Sequence, residues 1–214
     1  MRTNPFADAW LFVIGSTEDH EKLGAFAYVF VVLFVLLIAA SLWIAWRNWQ
    51  EDPAQRTGAH VATFVCRVLI GCMWFQGCLW KLPLPISEGF KYWTGQMAEY
   101  AAFGFHRELV TQVYLPYLQF IQPLVFLAEI SFAISLILGL GVRLFSVLAA
   151  AFALHLWLGL YRHPAEWPWT YVFLAVIMVL FAASAAGRSL GADAWLRRHA
   201  EPNSFAGRFI AVVG

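Results

Sequence analysis

The sequence predicts an all-α, polytopic integral membrane protein, and its composition gives two reasons. Of its 214 residues, 61% are hydrophobic and only 13% are charged, whereas soluble globular domains average roughly 45–50% and about 25%. The mean hydropathy of +0.66 agrees with this excess of apolar residues. So few charges cannot cover a soluble fold, which excludes a free cytosolic enzyme, a DNA-binding domain and a secreted disulfide scaffold. The net charge of +1 gives no indication of a nucleic-acid partner.

Five apolar segments are predicted to cross the bilayer, whose core of about 30 Å requires roughly 20 helical residues. Each segment is predicted to be a helix, because unpaired backbone groups are costly in lipid. The predicted spans are residues 23–46, 61–80, 118–140, 144–161 and 169–186. The first of them contains no charged residue. An odd number of spans places the two termini on opposite sides of the membrane.

The distribution of charges predicts which side each terminus occupies. The segment 1–22 carries four acidic residues, whereas the tail 197–214 and the residues just before it are rich in arginine. Because basic residues favour the cytoplasmic side, we expect the N-terminal segment outside and the tail in the cytoplasm. We expect the membrane to be the cytoplasmic membrane of a bacterium or archaeon.

The segment 83–117, between the second and third spans, is too long for a tight connection and is unusually aromatic. Within it, residues 97–113 are predicted to form a short amphipathic helix on the membrane surface. Two interpretations remain open. The aromatic side chains anchor the protein among the lipid headgroups, or the segment covers a lipid-soluble ligand or a docking surface for a partner.

Ionisable residues at membrane depth are the first candidates for function, because their burial in lipid is costly. Five lie at or near that depth: Arg67, Lys81, Glu129, Arg143 and His155. On the second span, Arg67, Trp74 and Lys81 share one helical stripe, and Glu129 shares a face with Arg143 if the third helix continues that far. We therefore predict one polar seam that contains Arg67, Lys81, Glu129 and Arg143, in which Lys81 pairs with Glu129. The seam is either a structural ion pair with snorkelling arginines or a site for a quinone headgroup or a small oxyanion.

His155 also suggests a haem ligand, because membrane b-type haems take axial histidines. A second histidine at the same depth is required, and none of the other predicted spans supplies one, so we do not expect haem. We expect His155 to pack against a neighbouring helix or a water molecule. The three cysteines, spaced by six residues on one helix, project to different faces. They cannot converge on one metal ion, so no metal site is predicted.

Three sequence features occur in a characteristic order. They are Arg67-Val-Leu-Ile-Gly71 with Gly77-Cys-Leu-Trp-Lys81-Leu82, then Glu129 followed by Gly139 and Arg143, and finally Gly187-Arg-Ser-Leu-Gly191-Ala-Asp193. Together they resemble the DoxX/DoxD family of small membrane proteins. The resemblance implies a four-helix membrane bundle over residues 61–196, to which the span 23–46 is an addition. DoxD-like members are the membrane subunit of thiosulfate:quinone oxidoreductase.

These observations lead to two main hypotheses. The first is a membrane subunit of a quinone-linked redox complex, with other membrane subunits as partners and a quinone or quinol near the seam. Candidate quinone-binding residues are Arg67, Lys81, Glu129, Arg143, Trp74 and His155. The second is a non-catalytic accessory or assembly subunit that makes only lipid and helix contacts. Transport of a small solute is the least expected function, because no broken helix or internal repeat marks a central site.

Overall fold

The computed structural model describes residues 4, 7, 23–167, 169–201, 204, 208, 210 and 212–214, and the described residues form helices and no strand. This confirms the predicted all-α membrane fold. The helices are α1 (Ala27–Glu51), α2 (Gly58–Cys78), α3 (Glu88–Glu99), α4 (Gly104–Leu109), α5 (Leu118–Leu138), α6 (Val142–Gly159), α7 (Trp169–Ala183) and α8 (Ala192–His199).

Among the described residues, four helices are long and apolar enough to cross a membrane: α1, α2, α5 and α6. The fifth predicted span, 169–186, is shorter than expected, since α7 has only 15 residues. A helix of that length rises about 22 Å, less than the thickness of a bilayer core. The reason is local, because Ala185 adopts the left-handed conformation with φ of 49° and Ala186 begins a 3-10 turn.

The bundle is built from two close helix pairs, α2 with α5 and α6 with α7, and α5 also contacts α6. Small residues allow the close approach. At Gly71 in α2, an added Cβ would lie 2.8 Å from Cγ1 of Ile137 in α5. Ala149 and Ala153 of α6 and Ala175 of α7 are buried. Helix α1 packs beside α5 at the edge of the bundle, and only four of its 25 residues are buried.

Helix α5 ends at Leu138, earlier than predicted, because the chain turns sharply there. Gly139 and Gly141 have φ of 72° and 61°, a region that favours glycine. The third predicted span therefore does not reach residue 140, and Arg143 belongs to α6. The assumption that Glu129 and Arg143 share one continuous helix is wrong.

The aromatic segment 83–117 also differs from its prediction. The predicted single helix 97–113 is replaced by α3, α4 and a π-helical turn, Val110–Tyr114. The chain breaks between α3 and α4 because it bonds to the end of α6 there. The N–H of Ala102 donates to the carbonyl of Leu158 at 2.8 Å. The segment thus folds back over the end of the bundle and packs a small apolar core against it.

The antiparallel helices bring different polar residues to the two ends of the bundle. We call the end that holds Arg67 and Asp193 the arginine end. We call the opposite end, where α4 meets the last turns of α6, the histidine end, because it holds His106 and His155.

Candidate functional site

Lys81 and Glu129 form a buried ion pair towards the histidine end. The distance from Lys81 Nζ to Glu129 Oε2 is 2.5 Å, and each side chain is only 5% exposed. Lys81 lies in the 3-10 turn that follows α2, and its Nζ also lies 4.3 Å from the centre of the Trp80 ring. Its carbonyl oxygen accepts a hydrogen bond from Gln122 Nε2. The predicted pairing of Lys81 with Glu129 is confirmed.

Arg67 lies near the middle of α2 and is completely buried. Its Nη1 donates to the carbonyl oxygens of Leu136 and Ile137, the latter at 3.2 Å. These carbonyls belong to the last turn of α5, where the helix leaves its carbonyl groups without helical partners. Two glycines make room for the guanidinium, since an added Cβ at Gly139 or Gly191 would lie 2.8 or 3.1 Å from its Nη atoms.

Asp193 completes the arginine end by capping a different helix. Its carboxylate accepts hydrogen bonds from the N–H groups of Gly141 at 2.7 Å and Val142 at 3.1 Å, at the start of α6. Its own N–H donates to the carbonyl of Gly139 at 2.8 Å. Burial raises the pKa of Asp193, although the two N–H groups and Arg67 oppose that shift. In the sequence, Asp193 stands out only as part of the third feature in the characteristic order, Gly187 to Asp193, and its role as the cap of α6 was not predicted.

Arg143 is not part of either cluster. It is half-buried in the first turn of α6 and makes no hydrogen bond or ion pair with a described residue. The four predicted seam residues therefore do not form one seam: Lys81 and Glu129 pair near one end, and Arg67 lies at the other. The physical reason is the early end of α5, which moves Arg143 to the next helix.

An open groove of about 580 Å³ lies between α5 and α6. It is lined by Tyr114, Leu127, Ala128, Ser131, Phe132, Phe145, Leu148, Phe152 and His155. Leu127 and Leu148 are exposed on the outer surface of the helices, so in a membrane the groove opens towards lipid. Behind it, Trp74 packs against Phe132 and Phe152, with ring centroids 5.4 and 6.0 Å away. Among the described residues, the buried Nε1 of Trp74 has no hydrogen-bond partner.

His155 at the end of this groove contacts a second histidine. The distance from His155 Nδ1 to His106 Nε2 is 2.9 Å, and His106 is only 2% exposed. This second histidine is supplied by α4 and not by another span. His106 precedes α5 in sequence and lies outside every span, but α4 folds back onto the end of α6. Nothing in the local sequence around His106 predicts this contact.

The histidine pair differs from a metal site because the two ring nitrogens face each other. The part of the chain that the structure describes contains no group of three or more His, Cys, Asp or Glu residues that could hold a metal ion. Of the three free cysteines, Cys72 and Cys78 are buried and Cys66 is exposed.

A family model described as "TQO small subunit DoxD" matches residues 62–211, well over half of the chain. The matched residues begin in α2 and do not include α1. No curated protein and no solved structure matches the chain significantly.

Proposed function

The chain belongs to the DoxD family, and we propose that it is the membrane subunit of a quinone-linked oxidoreductase complex that binds a quinone in the groove between α5 and α6. The family implies a complex similar to thiosulfate:quinone oxidoreductase. The observation that carries the quinone assignment is the groove itself, because it combines aromatic walls, access from lipid and a histidine nitrogen at one end.

The residues of the groove fit a quinone in size and in chemistry. Ligand sites are typically about 300–1,000 Å³, mostly apolar, with a few polar groups that orient the ligand. The groove has about 580 Å³, and the rings of Phe132 and Phe152 offer flat apolar walls. His155 offers one hydrogen-bonding nitrogen, Nε2, because its Nδ1 already contacts His106.

A bound quinone supplies reversible two-electron, two-proton chemistry. In this proposal His155 orients the headgroup through Nε2, while the phenylalanine rings hold it and exclude water. Trp74 supports these rings from behind. Lys81 and Glu129 act on the fold rather than on the headgroup, since they pair with each other and neither lines the groove. The same holds for Arg67, which binds the end of α5.

A non-catalytic assembly subunit is the second candidate function, and α1 favours it. This helix lies outside the residues that match the family and exposes large apolar side chains, among them Tyr28, Leu36 and Trp43. In the complex, such a face would contact another membrane subunit. Binding of quinone by the isolated chain separates the two candidate functions.

The test is binding of decylubiquinone to the purified full chain in lipid nanodiscs. The quenching of tryptophan fluorescence measures this binding. Ala128→Phe fills the groove without removing a hydrogen bond and is expected to weaken binding at least about tenfold, the loss of about 1.4 kcal/mol. Val147→Phe is the matched control, because Val147 is exposed on α6 and does not line the groove. Unchanged binding by folded Ala128→Phe would overturn the proposed site. No binding by the wild type would favour the assembly subunit.

A further inference from the structure

We infer that His106 is a positioning residue that keeps His155 as a hydrogen-bond donor towards the groove, so that the site recognises the carbonyl oxygen of an oxidised quinone. This inference rests on the proposed function and adds the chemical form of the ligand. Three observations support it: the contact between the two rings, the burial of His106, and the absence of a described partner for Nδ1 of His106, the nitrogen that does not contact His155.

The contact between the two rings holds a single proton. His106 Nε2 and His155 Nδ1 are 2.9 Å apart, so one nitrogen donates and the other accepts. Burial lowers the pKa of His106, which keeps its ring neutral near pH 7. Each neutral ring carries one N–H. The identity of the donor at the contact therefore decides whether the remaining proton lies on His106 Nδ1 or on His155 Nε2.

Two arrangements are possible. In the first, His106 Nε2–H donates to His155 Nδ1, so His155 carries its proton on Nε2 and His106 Nδ1 is bare. In the second, His155 Nδ1–H donates, so His155 Nε2 is bare and His106 carries its proton on Nδ1. The two arrangements thus present opposite groups to the groove, a donor in the first and an acceptor in the second.

The surroundings of His106 favour the first arrangement. Its Nδ1 is buried and has no hydrogen-bond partner among the described residues. The second arrangement would bury an unpaired N–H there, and orphaned N–H groups are rarer in proteins than unpaired acceptors. In the first arrangement both rings are also in the Nε2–H form, the intrinsically preferred tautomer of a neutral histidine side chain.

The ring of His106 is held in place by close packing, so it cannot rotate easily to a different contact. An added Cβ at Gly159 would lie 3.1 Å from its Cε1, and the same position touches Met97. Gly159 is the last residue of α6, one turn beyond His155. The end of α6 therefore fixes both histidines relative to each other.

A donor at Nε2 of His155 distinguishes ligands by their oxygen atoms. A quinone carbonyl accepts this hydrogen bond directly. A bare Nε2 would instead repel the carbonyl lone pairs and accept from a quinol hydroxyl. His106 thus biases the groove towards the oxidised form, which is the form that a complex reducing quinone must bind.

The test combines a spectroscopic readout with binding. Nitrogen-15 NMR of the full chain, labelled at histidine and held in nanodiscs, reports which nitrogen of His155 is protonated, and the signal is assigned by its loss in His155→Phe. The wild type is expected to show a protonated Nε2 and a bare Nδ1. A wild-type His155 with a bare Nε2 would overturn the inference, and this readout requires neither quinone nor activity.

Two variants of His106 test its positioning role. His106→Leu removes the hydrogen-bond donor but keeps a side chain of similar size. We expect His155 to populate both tautomers in this variant. Decylubiquinone binding should weaken about fivefold, the effect of one hydrogen bond. His106→Gln retains an amide donor and is expected to restore both properties. Wild-type affinity in folded His106→Leu would contradict the inference but not the groove. Failure of the proposed function looks different, since the wild type would then bind no quinone whatever its tautomer.

Discussion

The two ends of the bundle bury polar groups in opposite ways. At the arginine end the space is filled: a Cβ added at Gly139 would lie 2.6 Å from the Cα of Gly191, and one at Gly187 would lie 2.0 Å from the carboxylate of Asp193. At the histidine end, His155 faces an open groove of about 580 Å³. The deeply buried charged groups thus contact other groups of the protein, whereas His155 lies beside open space in the candidate ligand site.

The largest difference between the two ends is expected in the loss of stability when a side chain is enlarged at each end. Gly139→Ala should lower the free energy of unfolding by about 4 kcal/mol or more, because it forces alanine into a left-handed conformation and into backbone atoms. Thermal unfolding in detergent measures the effect. At the histidine end, Ala128→Phe extends into the groove and should keep a melting temperature close to that of the wild type.

Gly77→Ala is the control for the glycine substitution. Nothing lies within 4 Å of a Cβ added at Gly77, which is inside α2. Alanine should stabilise the helix there by about 0.5–1 kcal/mol. If Gly139→Ala were as stable as Gly77→Ala, the arginine end would not be close-packed and the contrast between the ends would fail.

The second prediction concerns the ion pair of Lys81 and Glu129. Lys81→Met leaves a buried carboxylate without its partner and should lower the free energy of unfolding by about 3 kcal/mol. The double variant Lys81→Met with Glu129→Leu should recover most of this loss, because an apolar pair replaces both charges. Binding of decylubiquinone by the double variant should equal that of the wild type.

The outcome of the double variant decides between two roles for the pair. Normal stability with lost quinone binding would show that the pair contacts the ligand, and the groove would then extend to Glu129. Retained binding would mean that the pair only joins α2 to α5. Lys81 and Glu129 would then belong, like Arg67 and Asp193, to the buried charged groups that serve the fold.

The sequence predicts well what depends on composition and on one helix at a time. Charge-free apolar segments predict the membrane helices, and the stripe that holds Lys81 predicts its pairing with Glu129. It does not predict where α5 ends, since Leu140 is apolar and the left-handed turn at Gly139 is stabilised by contacts with Asp193, 54 residues later. It does not predict His106, because only the folded segment brings that ring to His155.

The smallest expected effect is a pH dependence at the histidine end. Burial lowers the pKa of His106 below its ordinary value of 6.5. The unfolded chain therefore binds a proton at this residue more readily than the folded chain, so stability should fall as the pH falls below about 6.5. Melting temperatures between pH 7.5 and pH 5 measure this dependence of stability on pH.

His106→Leu is the control, and its stability should depend less steeply on pH, because only the other titrating groups remain. An unchanged slope would mean that His106 is protonated equally in the folded and unfolded states. A shallower slope would show that burial keeps His106 neutral, which the shared proton at His155 requires.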